Sequence, residues 1–148
     1  MNKILMANLK MNLNKEEMDN YKKVIEESGI LDLTICPSYI YLNEMKSNKY
    51  TVASQDGYQV DKGAFTGEIS FYQLSKMGIT TSLIGHSERR HVFNESDETI
   101  SLKMQSCVNN GMTPILCVGE TKDERLSNKT NEVVEKQIVS ALSLIELK

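Results

Sequence analysis

Short apolar runs alternate along the chain with longer polar stretches of helical period. Each run has four or five mostly apolar residues, as expected for strands that are buried on both faces. Because a helical stretch follows most of these runs, the order predicts repeated βα units around a parallel sheet. The predicted strands are residues 3–7, 33–36, 50–54, 81–85 and 114–118.

The stretches between the runs carry helix start and stop signals. Asn14 followed by Glu17 has the pattern of a capping box, and Gly29 predicts the end of that helix. A second helix is predicted from its N-cap residue Ser96 to Asn110. The predicted core faces are Ile100, Met104, Cys107 and Val108 on that helix, and Val134, Ile138, Ala141, Leu142 and Ile145 on the last one.

One connection is too long for an ordinary turn between a strand and a helix. Residues 56–70, DGYQVDKGAFTGEIS, are mainly polar and contain three glycines. Long loops in compact domains are usually functional. Phe65 near the middle of this loop is therefore expected to be buried against another surface.

Composition and charge narrow the class of protein. With 148 residues, 40% hydrophobic content and a net charge of -3, the chain resembles one globular domain without the basic face that nucleic-acid binding requires. No run approaches the roughly 20 apolar residues that cross a bilayer, and the first residues lack a secretion signal. We therefore expect a cytoplasmic location and no membrane partner. Cys36, Cys107 and Cys117 have no C-x-x-C spacing and are predicted to be small buried hydrophobes.

Polar side chains follow three of the predicted strands. Asn8 and Lys10 come after the first strand, His86 and Glu88 after the fourth, and Glu120 after the fifth. Parallel α/β proteins bind their ligands at the carboxyl ends of the strands. A cation, an amide and a histidine at that end predict a site for an anionic substrate.

Other kinds of site fit these residues less well. His86 and His91 are five residues apart without a carboxylate or thiolate at ligand spacing, which argues against a metal. Ser87 lacks the G-x-S-x-G elbow of a serine nucleophile, and neither glycine-rich phosphate loop occurs. A doubly wound, flavodoxin-like domain is an alternative architecture, but NLKMN after the first strand offers neither its phosphate loop nor its acidic pair.

Five motifs together resemble the triosephosphate isomerase family, in the order and spacing of that family. They are NLKMN at 8–12, GAFTGEIS at 63–70, IGHSERR at 84–90, FNESDE at 93–98 and CVGE at 117–120. The resemblance covers nearly the whole chain. It implies a (β/α)8 barrel that interconverts dihydroxyacetone phosphate and glyceraldehyde 3-phosphate in glycolysis and gluconeogenesis, without a metal or an organic cofactor.

The resemblance also implies roles for individual residues at the strand ends. Lys10 would bring positive charge to the phosphate and to the developing enediolate, and Asn8 would help to hold the substrate. His86 would be the electrophile, kept neutral by the start of a helix. Glu88 would align the lysine, and Cys117 would lie near the site.

The loop at residues 56–70 resembles the dimerisation loop of the family, which implies a homodimer. Phe65 would be buried in the partner subunit, and Thr66 would reach toward the active site there. Glu68 and Arg89 would pair across the interface.

Three positions depart from the family pattern. Leu9 stands where tryptophan is usual, Asp56 where asparagine is usual and Asn94 where glycine is usual. Asn94 is compatible with a left-handed backbone, which asparagine tolerates best after glycine. Asp56 would add a charge beneath the dimer loop.

The length sets a further expectation. A barrel of this kind has eight βα units in roughly 250 residues, and residues 1–148 correspond to about five, which we treat as one incomplete barrel domain. No glutamate here matches the catalytic base that the resemblance implies on the sixth strand. We expect little activity from these residues alone, and a second copy or a complementing C-terminal half as the partner. The alternative is a degenerate or split-enzyme fragment that binds a phosphosugar or a partner chain.

Overall fold

The computed structural model describes residues 5–30 and 32–146. Strands and helices alternate along these residues, which confirms the predicted α/β class. The elements are β1 Leu5–Asn8, α1 Lys15–Ser28, β2 Leu33–Cys36, a 3-10 turn at Tyr39–Tyr41, β3 Thr51–Val52, α2 Phe71–Lys76, β4 Thr81–Ile84, α3 Ser87–His91, α4 Asp97–Asn109, β5 Thr113–Leu116, α5 Lys122–Leu126 and α6 Thr130–Leu142.

The strands are parallel and follow one another in sequence order. β1, β2 and β3 form one sheet, and β4 and β5 form another. Ser54 joins the two sheets, because its N–H donates to the carbonyl of Thr81 at 3.0 Å and its carbonyl accepts from the N–H of Leu83 at 2.9 Å. Its hydroxyl also donates to Ser82 Oγ at 2.7 Å. The carboxyl ends of the strands therefore lie along one rim of a partial barrel.

The predicted strands agree with the structure to within a few residues. The strand at 33–36 is confirmed in full, whereas the first ends at Asn8 and its predicted start at Lys3 and Ile4 lies outside the described residues. The third is shorter than predicted. Ala53 still donates its N–H to the carbonyl of Ile35 in β2 at 2.9 Å, but Ser54 pairs with β4.

Local hydrogen bonds confirm the predicted helix starts. The Asn14 side chain accepts from the N–H of Glu17 at 3.0 Å, and the Glu17 carboxylate accepts from the N–H of Asn14 at 2.9 Å. Gly29 closes α1 in the left-handed conformation, with φ of 66°. Ser96 caps α4 by accepting from the N–H of Thr99, and Asn94 has φ of 56°.

The core lies between the sheet and the helices that cover it. Its fully buried members include Met18, Ile35, Leu42, Phe71, Leu74, Ile84, Ile100 and Cys107. Two predicted core positions are wrong, because Val108 is 40% exposed and Ile138 is 38% exposed. On α6 the predicted Ala141 is buried and so is Gln137, whose side chain bonds to both the N–H and the carbonyl of Gly119 at 2.8 and 3.1 Å.

Candidate functional site

Glu88 brings the two predicted reactive groups together. Its Oε1 accepts a hydrogen bond from Lys10 Nζ at 2.6 Å, and its main-chain N–H donates to His86 Nδ1 at 3.3 Å. Lys10 follows β1 and His86 follows β4, so groups from the two sheets meet at the strand ends. The hydrogen bond from Lys10 holds the pKa of Glu88 below its ordinary value. Glu88 is therefore a carboxylate that anchors the ammonium group.

The backbone next to His86 sets the orientation of the imidazole. Gly85 has φ of 73° and turns the chain sharply after β4. A Cβ at this position would also lie 3.3 Å from the carbonyl oxygen of Cys117. His86 then caps α3, with Nδ1 accepting from the N–H of Glu88 at 3.3 Å. This hydrogen bond needs an Nδ1 without a proton, and in a neutral imidazole of that kind Nε2 carries the proton.

Arg90 braces the turn that carries His86. Its Nε donates to the carbonyl of Gly85 at 2.8 Å, and its second guanidinium nitrogen donates to the carbonyl of Cys117 at 3.3 Å. The remaining nitrogen donates to Asp97 at 2.7 Å. The arginine thus ties the end of β4 to the end of β5 and to the first turn of α4.

Four charged side chains form a cluster beside α3, in which Asp56, Glu95 and Lys103 are largely buried and Arg89 is partly exposed. Lys103 Nζ donates to Asp56 and to Glu95, both at 2.5 Å. Arg89 donates to the same Glu95 oxygen at 2.5 and 2.8 Å and lies 3.2 Å from Asp56. Desolvation raises the pKa of Asp56. Burial would also raise the pKa of Glu95, but the hydrogen bonds from Lys103 and Arg89 outweigh it and lower that pKa.

Sequence reasoning missed most of this cluster. It placed a charge at Asp56 and an interface role at Arg89, but it did not identify Glu95 or Lys103. Charged residues are rarely buried unless they are paired, and Lys103 is 2% exposed. Its position one turn from the buried Ile100 was the available signal.

Lys10 has a backbone conformation that lysine rarely adopts. Its φ is 53°, and the other described residues with positive φ besides glycine are aspartate or asparagine: Asp32, Asn94 and Asn128. A left-handed lysine costs about 1–3 kcal/mol. Asn8, assigned to the substrate from the sequence, accepts from the N–H of Lys10 at 3.0 Å. It therefore contributes to this conformation directly.

A cavity of about 320 Å³ lies beside His86 and includes Cys117 and Glu120 in its lining. Cys117 is partly buried and not fully buried as predicted. Burial raises the pKa of its thiol, so it is not an activated nucleophile. The Glu120 carboxylate accepts from Arg125 Nε at 2.6 Å and from Thr130 at 3.3 Å. A backbone hydrogen bond and Arg125 lower the pKa of Glu120.

The residues predicted for the dimer loop lie on an exposed segment. Phe65 is 40% exposed, with its ring centre 4.8 Å from that of Tyr58, and Thr66 and Glu68 are exposed as well. Arg89 makes its ion pairs within its own chain. A contact between Arg89 and Glu68 of a second copy therefore stays a prediction, and it would have to coexist with these pairs.

Residues 5–30 and 32–146 contain neither a metal-binding cluster nor a membrane-spanning helix. No group of three or more histidines, cysteines, aspartates or glutamates there could hold a metal ion. None of the helices in these ranges combines the length and the apolar character needed to cross a bilayer.

The fold and the rim define a protein of the α/β-barrel class, with an ammonium and an imidazole at the carboxyl ends of parallel strands. A family model described as triosephosphate isomerase matches residues 3–148. The chain belongs to the triosephosphate isomerase family, as the five sequence motifs indicate.

Relatives with the name triosephosphate isomerase show how much of the family is represented. The chain is 38% identical to the one from Aquifex aeolicus (strain VF5) over 154 residues, which cover 99% of this chain and 62% of the relative. It is 43% identical to that of Dictyostelium discoideum over 140 residues (89% and 54%) and 43% identical to that of Malacoplasma penetrans (strain HF-2) over 152 residues (97% and 60%). The chain thus spans about three fifths of the length of these relatives.

Proposed function

We propose that this chain provides the electrophilic part of a triosephosphate isomerase, which interconverts dihydroxyacetone phosphate and D-glyceraldehyde 3-phosphate. The observation that carries the proposal is the pair of hydrogen bonds that Glu88 makes, with its carboxylate to Lys10 and with its main-chain N–H to His86. In a member of this family, these two bonds align a cation and a neutral imidazole at the rim where substrates of barrel proteins bind.

Each side chain has a part in the proposed reaction. The Nε2–H of His86 donates to the substrate carbonyl oxygen and then moves a proton between the two oxygens of the enediolate. The ammonium of Lys10 stabilises the negative charge of the phosphate and of the enediolate. Asn8 and Glu88 hold Lys10 in place, and Asn8 also contributes to substrate binding.

The reaction needs a general base as well, to remove a proton from carbon. Glu88 and Glu120, the carboxylates at the described rim, each already accept from a cation, and the pKa of each lies below its ordinary value. Both are therefore weak bases. The base would come from sequence outside these 148 residues. Because such a base contributes about 10²- to 10⁴-fold in rate, the 148 residues alone should show little turnover.

The proposal includes a partner and a location. The chain would act as a homodimer through the loop at residues 56–70, or with a complementing C-terminal half. The exposed Phe65, Thr66 and Glu68 support the first arrangement. A cytoplasmic location and a place in glycolysis and gluconeogenesis accompany this reaction.

A chimera tests the proposed function. Residues 1–148 would be joined to the C-terminal part of the Aquifex aeolicus relative that the alignment leaves uncovered. We expect turnover in a coupled assay, and His86→Gln should lower kcat by about 10²- to 10⁴-fold. The matched control is His91→Gln at the exposed end of α3, which should leave kcat unchanged.

Two outcomes would count against the isomerase. A folded chimera without turnover would contradict it, and so would equal losses in the His86 and His91 variants. If the inactive chimera still bound phosphoglycolate, whose carboxylate mimics the enediolate, the alternative of a phosphosugar-binding module would be favoured instead.

A further inference from the structure

The main-chain carbonyl of Lys10 is held by two side chains from distant parts of the sequence. Ser38 Oγ donates to this oxygen at 2.9 Å, and Gln55 Nε2 donates to it at 2.9 Å. The same Gln55 nitrogen donates to the carbonyl of Cys36, at the end of β2, also at 2.9 Å. The strand end and the Lys10 peptide are thereby linked through one amide.

We infer that Ser38 and Gln55 are positioning residues that keep Lys10 in its left-handed conformation and so aim its ammonium group at Glu88. The catalytic meaning of this inference rests on the proposed function. The positioning itself rests on the hydrogen bonds that Asn8, Ser38 and Gln55 make to the main chain on either side of Lys10.

The backbone of lysine, like that of other residues with a Cβ, prefers negative φ. With φ of 53°, Lys10 would relax toward negative φ if the peptides on either side of it were free to rotate. The Asn8 side chain holds the peptide before Lys10 through its N–H, at 3.0 Å. Ser38 and Gln55 hold the peptide after it through its carbonyl. Rotation in either direction would break at least one of these bonds.

The direction of the Lys10 side chain depends on this arrangement. Nζ reaches Glu88, 78 positions further along the chain, with a distance of 2.6 Å. The two side chains of this ion pair are each 46% exposed, and exposed pairs stabilise a geometry weakly. The ion pair is therefore too weak to impose the backbone conformation, and the conformation must be supplied by the bonds to the main chain.

Chemical labelling of the 148-residue chain tests this directly. Lys10 would be acetylated with an amine-selective reagent and its rate compared by peptide mass spectrometry with that of Lys23, which is exposed on α1. In the double variant Ser38→Ala, Gln55→Leu we expect the rate at Lys10 relative to Lys23 to rise about two- to fivefold, the range that corresponds to loss of an exposed ion pair. An unchanged ratio in a folded variant would overturn the inference.

Matched controls separate positioning from general loss of stability. Ser75→Ala removes a hydroxyl that donates to the carbonyl of Tyr72 at 2.9 Å, and Gln137→Leu removes an amide that bonds to Gly119. Neither variant should change the Lys10 ratio, and an equal rise in these variants would also overturn the inference. If the double variant does not fold, Ser38→Ala alone decides, since it removes one donor of two and should raise the ratio by a smaller amount.

The chimera gives a second measurement. There the double variant should lower kcat/KM by about ten- to a hundredfold, because small misplacements of a catalytic group have effects of this size. Inactivity of the wild-type chimera would contradict the proposed function and leave the labelling result to decide the positioning. An active chimera that the double variant does not impair would contradict the positioning.

Discussion

His86 and Lys10 lie at the same rim, but the chain holds them there in different ways. The groups that orient His86 are Gly85, Glu88 and Arg90, all within four positions of it. Lys10 depends in addition on side chains up to 78 positions away. The histidine is therefore oriented by local sequence, whereas the lysine is oriented only after distant segments have come together.

The two sides also differ in the forces that support them. The helix after His86 is fastened through Arg89 to buried charges, with Asp56, Glu95 and Lys103 largely removed from water. Lys10 is fastened by hydrogen bonds to its main chain and by one exposed ion pair. Since buried charges are costly when unpaired, the stability of the region around His86 should respond strongly to charge removal and to pH. The region around Lys10 should respond to changes in the backbone preference of that residue.

The largest effect is expected from removing the buried cation. Lys103→Met keeps an unbranched side chain of similar length but leaves two buried carboxylates with Arg89 as their remaining partner. We expect the free energy of unfolding to fall by about 3–5 kcal/mol, the usual cost of breaking a buried charge pair. Urea denaturation measures it. Lys23→Met on exposed α1 should change stability by less than about 0.5 kcal/mol, and similar losses at both sites would remove the distinction between the two sides of the rim.

A smaller effect in the same cluster concerns pH. Burial raises the folded-state pKa of Asp56 above 3.8, so the folded chain binds this proton more tightly than the unfolded chain does. The stability from that proton is complete below pH 3.8 and is lost as the pH rises through the folded-state pKa. Asp56→Asn removes this titration. The urea midpoint of the variant, relative to wild type, should therefore rise with pH across the acidic range, and a constant difference would refute the expectation.

The smallest effect concerns the backbone of Lys10. Glycine adopts positive φ without strain, so Lys10→Gly should be more stable than Lys10→Ala by about 1 kcal/mol. At Lys23, inside α1, the order should reverse by about 1 kcal/mol, because glycine is a poor helix former. Thermal or urea unfolding of the four variants measures both differences. If alanine were the better residue at both positions, the left-handed conformation of Lys10 would be wrong.

The sequence predicts the parts of this molecule that depend on near neighbours. Strand positions, the capping box at Asn14 and Glu17, and the left-handed Asn94 follow from patterns within a few residues. The polar residues after β1 and β4 were also predicted to share a rim. That prediction uses the general direction of parallel strands and requires no knowledge of side-chain contacts.

Features that depend on distant contacts could not be predicted from the hydrophobic and polar pattern of the sequence. Ser54 reads as the end of an ordinary strand, and its role as the link to β4 appears only in three dimensions. Gln137 reads as a solvent-facing residue, but it is buried because its amide matches both polar groups of Gly119. Lys103 likewise reads as a surface charge. Each of the three has a partner at least 18 positions away, and Lys103 has a second one in Glu95, eight positions away.

The main-chain link at Ser54 has a consequence for ligand binding. Lys10 belongs to the sheet on one side of this link and His86 to the sheet on the other. A ligand that contacts both residues would stabilise the arrangement in which the two sheets are joined. By thermodynamic linkage, that arrangement would bind the ligand more tightly. Ligand binding at the rim and the association of the two sheets would then be coupled in one equilibrium.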